Sequence, residues 1–115
     1  MDAKEFVTAL KEVVIDESIR SVQENLYRPP GRKPAEELRI QSEWYNKLND
    51  YDKQILIQII TESIDSAVFG FLCVLDGVRA IENVEKGKLR LYYEKGGEQN
   101  LLNDEHSEML HKLLR

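Results

Sequence analysis

Apolar residues between positions 2 and 26 recur at helical spacing, but they fall on two faces of the predicted helix. At about 100° per residue, one face holds the earlier residues and the other holds those from position 15 onward. The first set is Phe6, Val7, Ala9, Leu10, Val13 and Val14, and the second is Ile15, Ile19, Val22 and Leu26. The lack of Gly and Pro favours one continuous or kinked helix. A break near Asp16, which could cap a second helix, is the alternative.

Two apolar faces about 160° apart predict self-association of the chain. A surface helix normally turns one apolar face to its own core, so the other would remain as an exposed patch. Two-fold pairing is the commonest way to bury such a patch. We therefore expect a homodimer, and its candidate contact residues are Phe6, Leu10, Ile15, Ile19, Val22 and Leu26. A kink near Asp16 that turns both faces inward is the competing interpretation.

A loop and a second helix follow. Residues 27–34, YRPPGRKP, are typical of a loop because the prolines remove hydrogen-bond donors and the glycine permits a turn. The pattern then predicts a helix over about 35–48. Its apolar face consists of Leu38, Tyr45 and Leu48, widened by Ile40 and Trp44.

The longest predicted helix covers about 51–76. Asn49 or Asp50 caps its start, and Gly77 ends it. Apolar residues occupy nearly its whole circumference, and a helix of that kind is buried. We therefore expect this helix to form the buried centre of the protein.

The C-terminal third changes to a strand pattern. Residues 88–94, KLRLYYE, alternate between apolar and polar, and Gly96-Gly97 is typical of a two-residue hairpin turn. That turn would place Lys95 opposite Glu98, Tyr93 opposite Asn100 and Leu91 opposite Leu102. A third strand is expected at 78–83.

Asn103 or Asp104 is expected to cap a final helix, whose inner face is Met109, Leu110, Leu113 and Leu114. The predicted fold class is α+β. A helical layer around a buried central helix packs with a small antiparallel β-meander and a C-terminal helix. Residues 1–115 form a single domain, since 115 residues is a usual size for one domain.

The net charge of -5 argues against a general affinity for nucleic acid or anionic membranes. The one cysteine, Cys73, lies in the apolar run FGFLCVL, where we expect it to be buried and inert. No uninterrupted apolar run has the roughly eighteen residues needed to span a membrane, and the N-terminal residues do not resemble a signal peptide. We therefore expect a cytoplasmic protein.

Glu62, Asp65 and Ser66 form the polar cluster that most resembles a metal site. Glu and Asp three residues apart on a helix can share a divalent cation, but a second acidic pair on a neighbouring helix is needed to complete the oxygen shell. The neighbouring segments contain no such pair. We therefore expect these residues to face solvent or to hold a hydrogen bond where another element crosses, and we expect no metal or cofactor.

Other candidate chemistry is weaker. His106 and His111 are five residues apart, so on a helix they would point about 140° away from each other, unlike a helical zinc pair. We expect His106 to cover the edge of the final helix and His111 to be exposed. The sequence contains no GxSxG, CxxC or P-loop motif, which favours a non-catalytic protein.

Arg28, Arg32 and Lys33, with Tyr27 beside them, form a basic loop that could meet phosphate or an acidic partner. A solvated loop explains the same residues more simply.

The segments DSAVFGFLCVLDGVRAIE and GKLRLYYEKGG, followed by LLND and LHKLL, resemble a family of short bacterial proteins of uncharacterised function. The resemblance covers roughly the C-terminal half. It implies a bacterial origin, and it implies no catalytic residue at any position.

The sequence therefore favours a small non-catalytic protein-interaction module. Such a module could be an inhibitor or an immunity-type partner of another protein. A small-ligand-binding protein is the alternative, with a pocket lined by Trp44, Tyr45, Tyr92 or Tyr93. An enzyme with an unrecognised site is the third class.

Overall fold

One uninterrupted helix extends from Ala3 to Tyr27 in the computed structural model, which describes residues 1–84 and 87–115. It consists of α1 (Ala3–Leu10), a π-helical segment (Lys11–Asp16) and α2 (Glu17–Tyr27). Asp2 caps its start, where its Oδ1 accepts a 2.8 Å hydrogen bond from the Glu5 backbone. The favoured prediction of a continuous helix is confirmed, and the break at Asp16 is wrong.

The π-helical segment changes which residues share a face. A π-helix has about 4.4 residues per turn, so six residues turn through about 100° less than they would in an α-helix. In a uniform α-helix, Ile15 and Leu26 would lie about 80° and 100° from Val7. The lag cancels both angles, and all three residues are buried. The competing interpretation, in which both apolar faces turn inward, therefore describes most of this helix, with a π-helical segment in place of a kink. The members of the two sets that remain exposed are Val13, Val14 and Val22.

The helix α3 (Glu36–Asn46) folds back against α2. Leu26 and Tyr45 are buried between them, and the Asn46 side chain donates a 3.1 Å hydrogen bond to the Tyr27 carbonyl. Ile40 and Trp44 remain exposed, because the side of α3 that they occupy meets no other helix. The apolar face of α3 is therefore narrower than the sequence predicts.

The helix α4 (Asp50–Leu75) is the longest element, and Asn49 caps it by accepting a 2.8 Å hydrogen bond from the Asp52 backbone. It contacts α2, the π-helical segment and the C-terminal helix. Only Gly70, Leu72 and Cys73 within it are buried. The prediction that this helix is buried all round is wrong, because α3 packs on α2 and the elements that meet α4 cover only one side along most of its length.

A two-stranded antiparallel sheet follows, formed by β1 (Tyr92–Lys95) and β2 (Glu98–Leu101). Its register is the predicted one, with Lys95 opposite Glu98 and Tyr93 opposite Asn100. Leu91 and Leu102 extend the pairing through a 2.8 Å backbone hydrogen bond.

The predicted strand at 78–83 is absent, so the meander is a hairpin. The backbone N–H groups of Val78 and Arg79 both donate to the Cys73 carbonyl. These bonds turn the chain back at the end of α4, where Gly77 adopts a positive φ of 78°.

The last helix, α5 (Leu110–Leu114), begins later than predicted, and neither Asn103 nor Asp104 caps it. Its cap is Asp76, at the end of α4. Leu110 packs with Val7 and Leu72 in the core, so one small cluster joins α1, α4 and α5. Helices with a single antiparallel hairpin form an α+β fold, as predicted.

Candidate interaction surface

Asp76 and His111 form the most buried polar pair of the described residues. The Asp76 side chain is 2% exposed. Its Oδ1 accepts from the Leu110 backbone at 2.9 Å, and its Oδ2 accepts from the His111 backbone at 2.8 Å. The Nδ1 of His111 lies 2.6 Å from the same Oδ2. Across residues 1–84 and 87–115, no hydroxyl or thiol hydrogen-bonds to this imidazole, so the pair holds α5 and does not resemble a catalytic triad.

Aromatic and ionic contacts continue from this pair along α4. The His111 ring meets the Phe69 ring edge-on, with 5.5 Å between the ring centres, and the Arg115 guanidinium carbon lies over the Phe69 ring, 3.8 Å from its centre. The Arg115 Nη2 then pairs with Asp65 at 2.6 Å. The predicted exposure of His111 is therefore wrong, since packing on Phe69 leaves its side chain only 15% exposed.

Asp65 thus holds an ion pair where α5 crosses α4, which is one of the two environments expected for the polar cluster. Glu62 and Ser66 are exposed. Within the described part of the chain, no group of three or more His, Cys, Asp or Glu side chains could hold a metal ion. His106, expected to cover the final helix, is instead almost fully exposed, because α5 begins four residues after it.

Asn103 holds the base of the hairpin against the end of α4. Its Nδ2 donates to the carbonyls of Leu75 and Leu89 at 2.7 and 2.8 Å, and its Oδ1 accepts from the Leu91 backbone at 2.8 Å. Neither this role of Asn103 nor that of Asp76 was predicted from the sequence. A signal for Asp76 was present, since an acid that ends the run FLCVL needs partners if it is buried.

A cavity of about 530 Å³ lies beside Asn103, between the end of α4 and residues 87–90. Several of its polar lining groups already have partners in the fold. Asp76 caps α5, Asn103 bridges the hairpin to α4, and Lys88 pairs with Glu105 at 3.3 Å. These three groups therefore stabilise the fold around the cavity.

The four aromatic residues proposed to line a ligand pocket do not share one. Trp44 is exposed on α3, and Tyr45 is buried under α2. Tyr92 and Tyr93 lie on the hairpin. Of the two cavities described for this chain, one is lined by none of these four residues and the other is lined by Tyr93 alone of the four.

The candidate contact residues of the first helix are mostly turned toward the chain itself. Ile15 and Leu26 are buried, and Ile19 is half-buried. Phe6 and Leu10 pack against the core cluster. Val22 alone of the six is exposed, at 37%.

The solvent side of α2 carries an ion-pair network. Arg20 lies between Glu17 and Glu24, at 2.5 and 2.6 Å. Hydrogen bonding and the charge of Arg20 lower the pKa of Glu17, and the two carboxylates raise the pKa of Arg20. All three side chains are exposed, so this face of α2 is a hydrated one.

A row of uncovered apolar and small side chains extends along α4. Every fourth residue from position 51 to position 71 is exposed, and together they form one continuous row that we call the α4 ridge. The ridge consists of Tyr51, Ile55, Ile59, Ser63, Ala67 and Phe71. Tyr51, Ile59 and Phe71 are 70%, 54% and 60% exposed. No side chain of the ridge carries a charge at neutral pH.

The whole molecule is also more extended than a compact domain of the same length. Its accessible surface is 8747 Å², whereas a compact chain of this mass exposes about 6,500 Å². Its radius of gyration is 18.4 Å, compared with about 13 Å for a compact domain of this length. The chain therefore exposes about 2,200 Å² more surface than a monomeric domain of its size.

Among the described residues, α4 is also the one helix long and apolar enough to cross a membrane, judged by length and composition. This property was not predicted from the sequence, because polar residues interrupt the apolar pattern of α4. Glu62 and Asp65 lie near the middle of the helix. A carboxylate at the centre of a bilayer costs about 3 kcal/mol, so these residues favour protein over lipid as the cover for α4.

Comparison of the chain with protein-family models, with curated proteins and with solved structures finds no match.

Proposed function

We propose that this chain is a non-catalytic protein-interaction module that binds another protein chain through α4. The observation that supports this function is the α4 ridge, a row of exposed apolar and small side chains more than five helical turns long. Exposed apolar surface of this extent is typical of protein interfaces. Burying each large aliphatic or aromatic side chain of the ridge would contribute about 1.5–3 kcal/mol to binding.

The proposal includes a bacterial, cytoplasmic setting. Cys73 is a free, buried thiol, which suits a reducing compartment. An inhibitor or immunity-type protein would fit this class, since the net charge of -5 favours association with basic surfaces.

Site-specific photo-crosslinking in living cells tests this function. A photoreactive phenylalanine analogue replaces Ile59 on the ridge, and the matched control carries it at Gln23, an exposed polar position on α2. We expect light-dependent adducts to a defined protein chain from position 59 and none from position 23. Equal adducts at both positions, or none at position 59, would overturn the proposed function.

Small-ligand binding is the competing function, and the cavity beside Asn103 supports it, because about 530 Å³ lies within the usual range of ligand sites. The two functions make opposite predictions for Arg90→Ala, a change in the cavity wall. A ligand-binding protein would lose its function with this variant, whereas the interaction module would keep its crosslinks from position 59.

A further inference from the structure

Building on the proposed function, we infer that the protein chain that covers the α4 ridge is a second copy of this chain. The two copies form a two-fold symmetric dimer in which the α4 helices cross antiparallel, with Ser63 of each chain at the crossing. This interface differs from the one expected from the sequence, because the residues of the first helix face inward.

The order of side chains along the ridge supports two-fold pairing. Ile59 and Ala67 lie four residues on either side of Ser63, and Ile55 and Phe71 lie eight residues on either side. A two-fold interface must be complementary to itself. In an antiparallel crossing, Ile59 of each chain meets Ala67 of the other, so that a large side chain faces a small one. Parallel pairing would instead place two alanines together and leave a gap.

The geometry of the ridge suits close packing of two helices. The ridge follows an i, i+4 row, and two such rows interdigitate at a crossing angle of about -50° with axes about 8–10 Å apart. The shorter distances need small residues at the point of closest approach. Ser63 and Ala67 are the small members of the ridge, and Ser63 lies at the proposed crossing.

The surface that the whole chain exposes is large enough to include a dimer interface. The chain exposes about 2,200 Å² beyond a compact monomer, and permanent homodimers bury about 2,000–5,000 Å² in total. Burial of half of that excess on each of two chains would reach this range. The uncharged ridge also lets two chains of net charge -5 meet without placing like charges in the centre of the contact.

Sedimentation equilibrium of the purified full chain tests the dimer. We expect a mass of twice the 13.4 kDa chain at micromolar concentration. Ile59→Glu should weaken the dimer at least tenfold, since a buried charge would have no partner. The matched control is Gln58→Glu, which adds the same charge at the next exposed residue but off the ridge, and it should sediment as the wild type. Circular dichroism establishes that both variants are folded.

Disulfide crosslinking tests the antiparallel arrangement. Ser63→Cys should form a covalent dimer under mild oxidation, because the two positions face each other across the two-fold axis. When chains with Ile59→Cys are mixed with chains with Ala67→Cys, mixed dimers should exceed either self-crosslinked species. Cys73 is buried and so contributes no background. Preferential self-crosslinking of Ile59→Cys would show a parallel pair and overturn the antiparallel arrangement.

The outcomes separate this inference from the proposed function. A wild-type chain that remains monomeric at high micromolar concentration, while position 59 crosslinks to a different protein in cells, overturns the dimer and supports the proposed function. A wild-type chain that remains monomeric and gives no adducts from position 59 overturns both the dimer and the proposed function. Flotation of the wild-type chain with vesicles of phosphatidylcholine and phosphatidylglycerol, abolished by Ile59→Glu, would overturn both in favour of a lipid surface.

Discussion

Asp76 shows how one residue can fix the position of a distant element. Its carboxylate accepts hydrogen bonds from two backbone N–H groups and one imidazole nitrogen of a segment that begins 34 residues later. The side chain is almost completely buried, so water cannot replace these bonds. The position of α5, and with it the burial of Leu110, depends on this contact.

Asp76→Ala should therefore be one of the most damaging substitutions of a polar residue in this chain. It leaves the Leu110 and His111 N–H groups without acceptors, and we expect the free energy of unfolding to fall by about 2–4 kcal/mol. Urea denaturation at a fixed protein concentration measures the change.

Asp104→Ala is the matched control. Asp104 also accepts from a backbone N–H, that of His106 at 3.0 Å, but it stabilises an exposed turn. We therefore expect Asp104→Ala to lower the free energy of unfolding by less than about 1 kcal/mol. Equal losses for the two variants would contradict the role assigned to Asp76.

At the scale of elements, the π-helical segment explains how one helix buries two apolar sets that a uniform α-helix would separate. The lag in rotation is nearly that of one residue of α-helix. The segment is therefore equivalent to one extra residue in an otherwise regular helix. This equivalence can be tested by shortening the chain.

Deletion of Val13, an exposed residue of the π-helical segment, should be tolerated. A regular α-helix one residue shorter places Ile15 and Leu26 on the same side as Val7, so we expect a change in unfolding free energy within about 1 kcal/mol. Deletion of the exposed Ser21 in α2 is the control. It rotates Leu26 away from its contacts by about 100°, and should cost at least 2 kcal/mol. If thermal unfolding shows similar losses of stability for the two deletions, the π-helical segment is not equivalent to one extra residue.

The hairpin depends on its turn. Gly96 and Gly97 have φ values of 61° and 83°, a region that side chains disfavour. We expect Gly97→Ala to destabilise the protein by about 1 kcal/mol, and Gly87→Ala, at a glycine with open space around it and no positive φ, to be nearly neutral. Thermal unfolding of the two variants measures the difference.

At the scale of the whole molecule, the core is small and the shape is extended because few elements pack on α4. The elements that pack on α4 bury residues only near its C-terminal end and leave the ridge exposed along its whole length. Val7, Leu72 and Leu110 form the only cluster of buried residues in the described part of the chain, and two of the three come from near its ends.

Small-angle X-ray scattering tests this shape on the Ile59→Glu variant, which we expect to be monomeric. Its radius of gyration should lie near 18 Å, as in the structure. A value near the 13 Å of a compact domain would show that α4 is covered by its own chain and that the ridge is not exposed.

Local signals in the sequence predicted much of this fold, and contacts between distant segments account for the rest. The alternation in KLRLYYE with the Gly96-Gly97 turn predicted the hairpin and its register, because both signals lie within a dozen residues. The burial of α4 was not predictable in that way, since it depends on how many other helices cover it. The cap of α5 by Asp76 was also missed, because no rule of spacing links residues 34 positions apart.

The short length of α5 has a consequence for the order of folding. Five residues are too few for a helix that is stable alone in water, because the hydrogen bonds of a single turn do not offset the free energy of helix nucleation. We therefore expect α5 to form after α4 has provided Asp76 and Leu72 as a template. The same dependence makes α5 the first element to open in the native state, so its amide hydrogens should exchange with deuterium well before those of α4.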